Sequence, residues 1–412
     1  MTDHTPVGID QIAAREQAAL LPTYARQPAA FVEGSGARLM DVEGRSYLDF
    51  LSGLSVTSLG HANPAVATAV SRQAHALVHV SNLYYTEPQI TLAERLKATL
   101  GWPDGRAFFC NSGAEANEAA IKLARRFGKA TNPSKFRVVA LEGGFHGRTL
   151  ASLRATGTPE KHVPFEPLGD WVTHVPHDDP AALSGAVNDD VCAVLLEVVQ
   201  GEAGVRPVPH EVLAAAREAC DRHGALLIVD EVQTGIGRLG AWYGWQTTGV
   251  TPDVVCLAKA LANGLPIGAI VARGQAAGAF AAGDHASTFG GGPVVCAAAL
   301  AVLDEIEQQG LVARAEEMGA VMHAHLEGLI AAHTLAVGVR GRGLLQALVL
   351  DRPVAGAVAA AALEDGLVVN AVAPDAVRLA PPLIIGEADL ATMAAVLDAA
   401  LTRVADQEGA IP

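Results

Sequence analysis

Two side chains with reactive chemistry follow directly on apolar, strand-like runs. Lys259 follows VVCLA, and Asp230 ends ALLIVD. A lysine at the end of a buried strand loses hydration, which lowers the pKa of its amine and frees it to form a Schiff base with an aldehyde. An isolated lysine can instead extend to solvent. An acid at the end of a strand in an open α/β sheet is placed to meet a ligand.

A third segment, NSGAEANEAAIKLARR over residues 111–126, begins a helix with the small residues Ser112, Gly113 and Ala114. The N-terminus of a helix offers unpaired N–H groups, and small residues let a phosphate approach the backbone closely. The same pattern is equally typical of a simple helix cap without a ligand. This segment by itself leaves both interpretations open.

Together the three segments predict a site for pyridoxal 5'-phosphate, because its phosphate, ring nitrogen and aldehyde each find a partner. A competing pattern, GxGxxG, occurs at Gly235, Gly237 and Gly240. It favours a nicotinamide-dependent oxidoreductase only if a helix follows, and the next residues, AWYGWQ, show no helical pattern. We therefore rank that alternative lower.

The elements that position these residues are predicted from the alternation of apolar runs with helical patterns between about residues 90 and 270. Runs of strand length occupy residues 137–141, 191–199, 225–229, 254–257 and 267–271. This alternation predicts an α/β domain with a mostly parallel sheet. The expected organisation is an N-terminal arm over residues 1–60, a large cofactor-binding domain over 61–293 and a smaller α+β domain over 294–412, which the arm contacts.

Composition limits the possible partners. The chain has 412 residues, half of them apolar, and a formal charge of -15. Without a basic cluster, neither nucleic acid nor a membrane is expected as a partner. The five cysteines are predicted to be buried, and no metal site is expected, because His162, His174 and His177 lack metal-ligand spacing and read as surface or loop groups. The first thirty residues show no signal-peptide pattern, which favours the cytoplasm.

Seven blocks of sequence, in order, resemble the class III aminotransferases of PLP fold type I. They are NSGAEANEAAIKLARR, GGFHGRTLASLRATG, LLEVVQGEAGV, DEVQTGIGRLG, PDVVCLAKALANGLPIGA, GDHASTFGGGP and VRLAPPLII. The resemblance extends from about Tyr24 to the last helix. It implies a homodimer with active sites shared between the subunits.

The resemblance also implies roles for individual residues. Lys259 matches the lysine that carries the cofactor and transfers protons, and Asp230 matches the acid that pairs with the pyridine nitrogen. Gln233 is expected to contact the phenolic oxygen of the cofactor and Phe145 to stack on its ring. The remaining expected contacts are the phosphate ligands Ser112, Gly113 and Ala114, the neighbours Glu231 and Val232, and Thr288 from the partner subunit.

For the substrates, the resemblance implies that Arg148 binds the carboxylate of the amine donor and Arg378 that of 2-oxoglutarate. Glu202 matches a switch residue that pairs with Arg378 while the carboxylate is absent. Tyr24 and Ser287 are further expected pocket residues. Leu54, where ornithine aminotransferases carry a tyrosine, and the block HVSNLYY favour an acylated donor. Donors of other ω-aminotransferases are the alternative.

Three positions depart from the family pattern. Val198 replaces a proline, Asn263 a glycine and Gly292 an asparagine. None of them removes a reacting group, so we expect the departures to affect substrate preference and rate more than the type of reaction.

Overall fold

The structure, a computed structural model, describes residues 8–409. Its α-helices are α1 (Ile9–Ala19), α2 (Ser52–Ser55), α3 (Pro64–Ala76), α4 (Glu87–Leu100), α5 (Gly113–Lys129), α6 (Leu150–Ala155), α7 (Pro180–Ala186), α8 (His210–His223), α9 (Pro293–Gln308), α10 (Leu311–Ala332), α11 (Ala355–Glu364) and α12 (Glu387–Gly409). Its strands are β1 (Phe31–Ser35), β2 (Arg38–Asp41), β3 (Ser46–Asp49), β4 (Arg106–Cys110), β5 (Arg137–Leu141), β6 (Val172–Val175), β7 (Val191–Leu196), β8 (Val199–Gln200), β9 (Arg206–Pro207), β10 (Leu226–Asp230), β11 (Val254–Leu257), β12 (Gly268–Ala272), β13 (Ala336–Arg342), β14 (Leu345–Leu350), β15 (Leu367–Val368), β16 (Asn370–Ala373) and β17 (Ala376–Leu379). None of the helices in the described part of the chain has the length and apolar character needed to cross a membrane.

A seven-stranded sheet in the order β4-β12-β11-β10-β7-β5-β6 forms the centre of the fold. β12 runs antiparallel to both of its neighbours, and the other adjacent strands are parallel. Every residue of β7 and β10 is buried, as expected for strands covered by helices on both faces. The predicted α/β fold with a mostly parallel sheet is confirmed.

The helices of the central layer begin and end where the sequence supplies suitable caps. α5 packs on β7, β11 and β12, and α8 ends at Gly224, whose φ of 62° is left-handed. Glycine adopts this conformation without the steric cost of a Cβ, so the chain can turn from α8 into β10.

The C-terminal part of the chain forms a second, antiparallel sheet in the order β13-β14-β17-β16, against which α10 and α11 pack. The N-terminal strands form a third sheet, β1-β2-β3-β15, in which β3 pairs with the C-terminal strand β15. The N-terminal segment thus contacts the C-terminal part of the chain. The domain limits at residues 60 and 293 stay a prediction. Residues 1–7 of the predicted N-terminal arm and residues 410–412 of the predicted C-terminal domain lie outside the described residues.

The positions of the cysteines and histidines test two predictions made from the sequence. All five cysteines are buried, as expected. His162, in contrast, is buried, with Nε2 2.7 Å from the Thr156 carbonyl oxygen, and His174 lies in β6, where burial lowers its pKa to about 4. His162 lies in the turn between two 3₁₀ segments, which agrees with a loop position although the side chain is not on the surface. The expected surface or loop position was wrong for His174, because it lies within a strand, which sequence spacing does not reveal.

Candidate active site

Four strands end around one cavity of about 400 Å³ at an edge of the central sheet. Residues 111–114 follow β4, residues 145–148 follow β5, Asp230 ends β10, and Lys259 follows β11. Because β12 is antiparallel to both β4 and β11, those two strands point in the same direction. The carboxyl ends of the four strands therefore meet at the edge where ligands of open α/β sheets bind.

Lys259 lines the cavity from a 3₁₀ turn, Lys259–Ala262. Its φ of 46° is left-handed, a conformation that a residue with a side chain keeps only where the surrounding structure holds it. Burial lowers the pKa of its amine, with Glu202 acting in the opposite direction. The amine makes no hydrogen bond or ion pair with another described residue, so it is available to react.

Asp230 is held by three donors. Its Oδ2 accepts a hydrogen bond from Asn117 Nδ2 at 2.7 Å and lies 2.9 Å from His146 Nδ1. Its Oδ1 accepts the backbone N–H of Val232 at 3.0 Å. The carboxylate is 3% exposed, and these contacts fix its orientation at the cavity wall. Sequence reasoning missed Asn117 and His146, although both lie inside the quoted blocks.

The start of α5 combines a cap with a cavity wall. Ser112 Oγ accepts the backbone N–H of Glu115 at 3.2 Å, which is the cap interpretation. Ser112, Gly113 and Ala114 also line the cavity. A Cβ on Gly113 would lie 2.8 Å from the Val232 side chain, so a larger residue would push the helix away. The N–H groups of Gly113 and Ala114, which precede Glu115 in the helix, have no intrahelical acceptor and are available to an anion.

Arg378 is fully buried beside this cavity. Its Nη1 lies 2.5 Å from Glu202 Oε1 and 3.2 Å from Gln233 Oε1, and its Nε donates to Asn370 at 3.1 Å. Burial, the largest single influence, raises the pKa of Glu202, but the charge and hydrogen bond of Arg378 together with the smaller effects of Lys259 and Gln233 outweigh it, and the net shift is downward. Nη2 of Arg378 is buried without a hydrogen-bond partner among the described residues. A guanidinium with one unpartnered nitrogen can donate to a carboxylate.

Phe145 marks the mouth of the cavity. Its backbone N–H donates to Glu197 Oε2 at 2.9 Å, and the guanidinium of Arg148 lies 5.7 Å from its ring centre. Glu197 is buried and lines the cavity. Sequence reasoning missed Glu197, although it lies in the block LLEVVQGEAGV.

Several predicted site residues lie outside the cavity of the single chain. Glu231 instead accepts hydrogen bonds from Thr234 and from the backbone of Gly244 and Trp245. Ser287 and Thr288 line a different depression, beside residues 81–83. Tyr24 is 74% exposed, with the Arg26 guanidinium 5.5 Å from its ring.

The GxGxxG stretch does not begin a helix; the next helical turn after it is the 3₁₀ turn Gly244–Thr247. Arg238 within it is buried and donates to the carbonyl of Leu344 at 3.1 Å and to Ser58 Oγ at 3.1 Å. The stretch therefore contacts the turn between β13 and β14 through Arg238. It lacks the helix that a dinucleotide site requires.

An α/β fold with an unpaired lysine and a fixed aspartate in one cavity is typical of enzymes that carry their cofactor on lysine. A family model described as Aminotransferase class-III matches residues 22–401. The chain belongs to this family and is a PLP-dependent aminotransferase, with an amine and an oxo acid as its substrates.

Individual relatives agree with this assignment. The acetylornithine aminotransferase of Mycobacterium tuberculosis is 52% identical over 94% of this chain and 96% of its own length. That of Mycolicibacterium smegmatis is 49% identical over 96% and 99%. Among solved structures, the ornithine aminotransferase of Toxoplasma gondii matches with a TM-score of 0.92 and 30% identity over 97% of this chain and 95% of that one. The acetylornithine aminotransferase of Elizabethkingia anophelis matches with a TM-score of 0.85 and 31% identity over 96% and 100%.

Proposed function

We propose that this chain transfers the side-chain amino group of N-acetyl-L-ornithine to 2-oxoglutarate. The products are N-acetyl-L-glutamate 5-semialdehyde and L-glutamate, in a step of arginine biosynthesis. The observation that carries the proposal is the unpaired amine of Lys259 in the cavity that Asp230 also lines. The substrate is supported by relatives about half identical over nearly the full length. We place the reaction in the cytoplasm, where the buried thiols stay reduced.

The residues of the cavity fit PLP. The N-terminus of α5 offers N–H groups from Gly113 and Ala114 to the phosphate. Asp230 and Gln233 are the partners for the ring nitrogen and the phenolic oxygen, and Phe145 for the ring face. When bound, PLP would supply an aldehyde carbon that accepts the amino group of the donor and a ring that withdraws electrons.

The chain's own groups then handle protons. Nζ of Lys259 takes the proton from the donor carbon that bears the amine, a role that its lowered pKa supports. Asp230 keeps a positive charge on the ring nitrogen, because Asn117 and His146 hold its carboxylate in place.

Two arginines divide the substrate carboxylates between them. Arg148 at the cavity mouth is assigned to the carboxylate of the amine donor. Arg378 is assigned to the α-carboxylate of 2-oxoglutarate, which would accept a hydrogen bond from the unpartnered Nη2. Glu202 pairs with Arg378 when that carboxylate is absent, which lets one pocket take both substrates.

The active unit in this proposal is a homodimer. An exposed apolar face is formed by Val78, Leu83, Tyr84, Tyr85 and Phe289, which are 60, 85, 70, 96 and 67% exposed. Such a surface is typical of a protein interface. Thr288 adjoins Phe289 and lies outside its own chain's cavity, which supports its assignment to the phosphate in the partner subunit.

The first test is a half-reaction without oxo acid. Purified PLP-loaded enzyme is mixed with N-acetylornithine, N-succinylornithine, ornithine or 4-aminobutanoate, and the absorption of the bound cofactor is followed. We expect the fastest spectral change with N-acetylornithine. A faster change with another amine would retain the reaction class and replace the substrate, whereas no change with any amine would contradict the proposed activity.

A further inference from the structure

A second cation, Lys161, lies with Arg148 near the ring of Phe145, which lines the cavity. Its Nζ is 5.5 Å from the centre of the Phe145 ring, and the guanidinium carbon of Arg148 is 5.7 Å from the same ring centre. Lys161 is half-buried, in the short 3₁₀ turn Pro159–Lys161. Both side chains therefore extend toward one aromatic ring from different segments of the chain.

Neither cation is neutralised by an acid. Among residues 8–409, no carboxylate lies within ion-pair distance of Lys161 or Arg148. Arg378, the other arginine of the site, has Glu202 at 2.5 Å. Burial lowers the pKa of Lys161, and the charge of Arg148 lowers it further, whereas Glu202 and Glu160 act in the opposite direction. Two positive charges near the Phe145 ring thus have no carboxylate partner among residues 8–409.

The chemistry of the proposed donor matches this arrangement. The end of N-acetylornithine remote from the reacting amine carries a carboxylate and an acyl oxygen, and both accept hydrogen bonds. Free ornithine has an ammonium group in place of the acylated nitrogen. Two unpaired cations attract the first kind of ligand and repel the α-ammonium of the second.

We propose that Lys161 is a specificity-determining residue that, with Arg148, binds the acylated, anionic end of the donor and disfavours a free α-ammonium. This inference rests on the proposed function for the identity of the donor. A lysine ammonium is suited to this because its three donors rotate to meet either a carboxylate or an acyl oxygen.

The test compares Lys161→Met with the wild-type PLP-loaded enzyme. We expect kcat/KM for N-acetylornithine to fall about tenfold, because one charge-assisted hydrogen bond is lost. The preference for N-acetylornithine over ornithine should fall further, because the repulsion of ornithine is also relieved. Lys161→Arg, which retains the charge, should recover most of the preference.

A binding measurement keeps this inference separate from the proposed reaction. The ligands are N-acetylnorvaline and N,N-dimethylnorvaline, which lack the reacting amine and have no primary amine that could form a Schiff base with PLP, so calorimetry gives their Kd without turnover. Lys161→Met should weaken N-acetylnorvaline about tenfold and leave N,N-dimethylnorvaline unchanged or tighter. Failure of the wild-type enzyme to use N-acetylornithine would contradict the proposed function. The two Kd values would still test whether Lys161 binds the acylated end of the ligand.

Lys129→Met is the matched control, because Lys129 Nζ also lies 5.5 Å from a phenylalanine ring centre, that of Phe136, away from the cavity. We expect it to leave both Kd values and the donor preference unchanged. Equal changes in the two lysine variants, or an unchanged ratio of the two Kd values in Lys161→Met, would overturn the assignment.

Discussion

Glu197 is a carboxyl group whose burial makes stability depend on pH. It is 5% exposed and accepts the backbone N–H groups of Phe145 at 2.9 Å and Gly201 at 3.3 Å. Burial raises its pKa from 4.5 to about 7; His146 opposes this rise and Asp230 adds to it. Between these two pH values the folded protein holds a proton that the unfolded chain releases. This group's contribution to stability is therefore present below pH 4.5 and is lost as pH rises through 7.

Glu197→Gln removes this titration and keeps an acceptor for one of the two N–H groups. Between pH 5 and pH 8, we expect the free energy of unfolding of wild type to fall relative to the variant by on the order of 2 kcal/mol. Urea unfolding of both proteins without cofactor measures the difference, in which the other titrating groups cancel. Parallel pH curves for the two proteins would show that Glu197 has no raised pKa.

At the residue scale, the sequence predicted the reacting groups better than the residues that hold them in position. Lys259 and Asp230 stand out because each follows an apolar run, and that local signal places them at strand ends. Asn117 and His146 are 113 and 84 residues away from Asp230 along the chain. Their role depends on which strands are neighbours in the sheet, a property of the folded chain that no local pattern contains.

The 3₁₀ turn that carries Lys259 is attached to the N-terminal segment through Asn263, at a position where the family carries glycine. Asn263 has a left-handed φ of 47°. Its Oδ1 accepts the N–H of Leu59 at 2.8 Å, and its Nδ2 donates to the carbonyl of Gly60 at 3.0 Å. The side chain therefore fixes the turn against the segment just before α3.

Asn263→Gly keeps the left-handed backbone and removes both hydrogen bonds. We expect it to lower the free energy of unfolding by about 1–3 kcal/mol, because buried polar groups of Leu59 and Gly60 lose their partners. Chemical denaturation measures the loss. A variant within about 0.5 kcal/mol of wild type would mean that water replaces the side chain.

At the element scale, the composition of the apolar runs predicted the positions of the strands but not their directions. Runs such as VCAVLL are apolar throughout because both faces of β7 are buried. The run that became β12 looks the same, yet it is antiparallel to β11. Only ten residues join these two strands, too few for the crossover that a parallel pair needs. The length of that connection, and not the composition of the strand, decides its direction.

At the scale of the whole molecule, the position of Thr288 allows a test of the shared active site. Thr288 lies beside the exposed apolar face and outside its own chain's cavity. In a homodimer whose sites are shared, the Thr288 of each subunit serves the Lys259 of the other. We expect Lys259→Ala to abolish turnover and Thr288→Glu to put a negative charge against the phosphate, so each variant on its own should be inactive.

Mixed dimers of these two variants distinguish the two arrangements. If Thr288 acts across the interface, a mixed dimer has one site with intact Lys259 and intact Thr288, and purified mixed dimers should show about half of the wild-type activity. If Thr288 acts within its own chain, every site in the mixed dimer carries one substitution and activity stays absent. Differently tagged, co-expressed subunits provide the mixed dimer, and the separately purified parent variants provide the background. Activity no higher than that background would place Thr288 outside the partner's site.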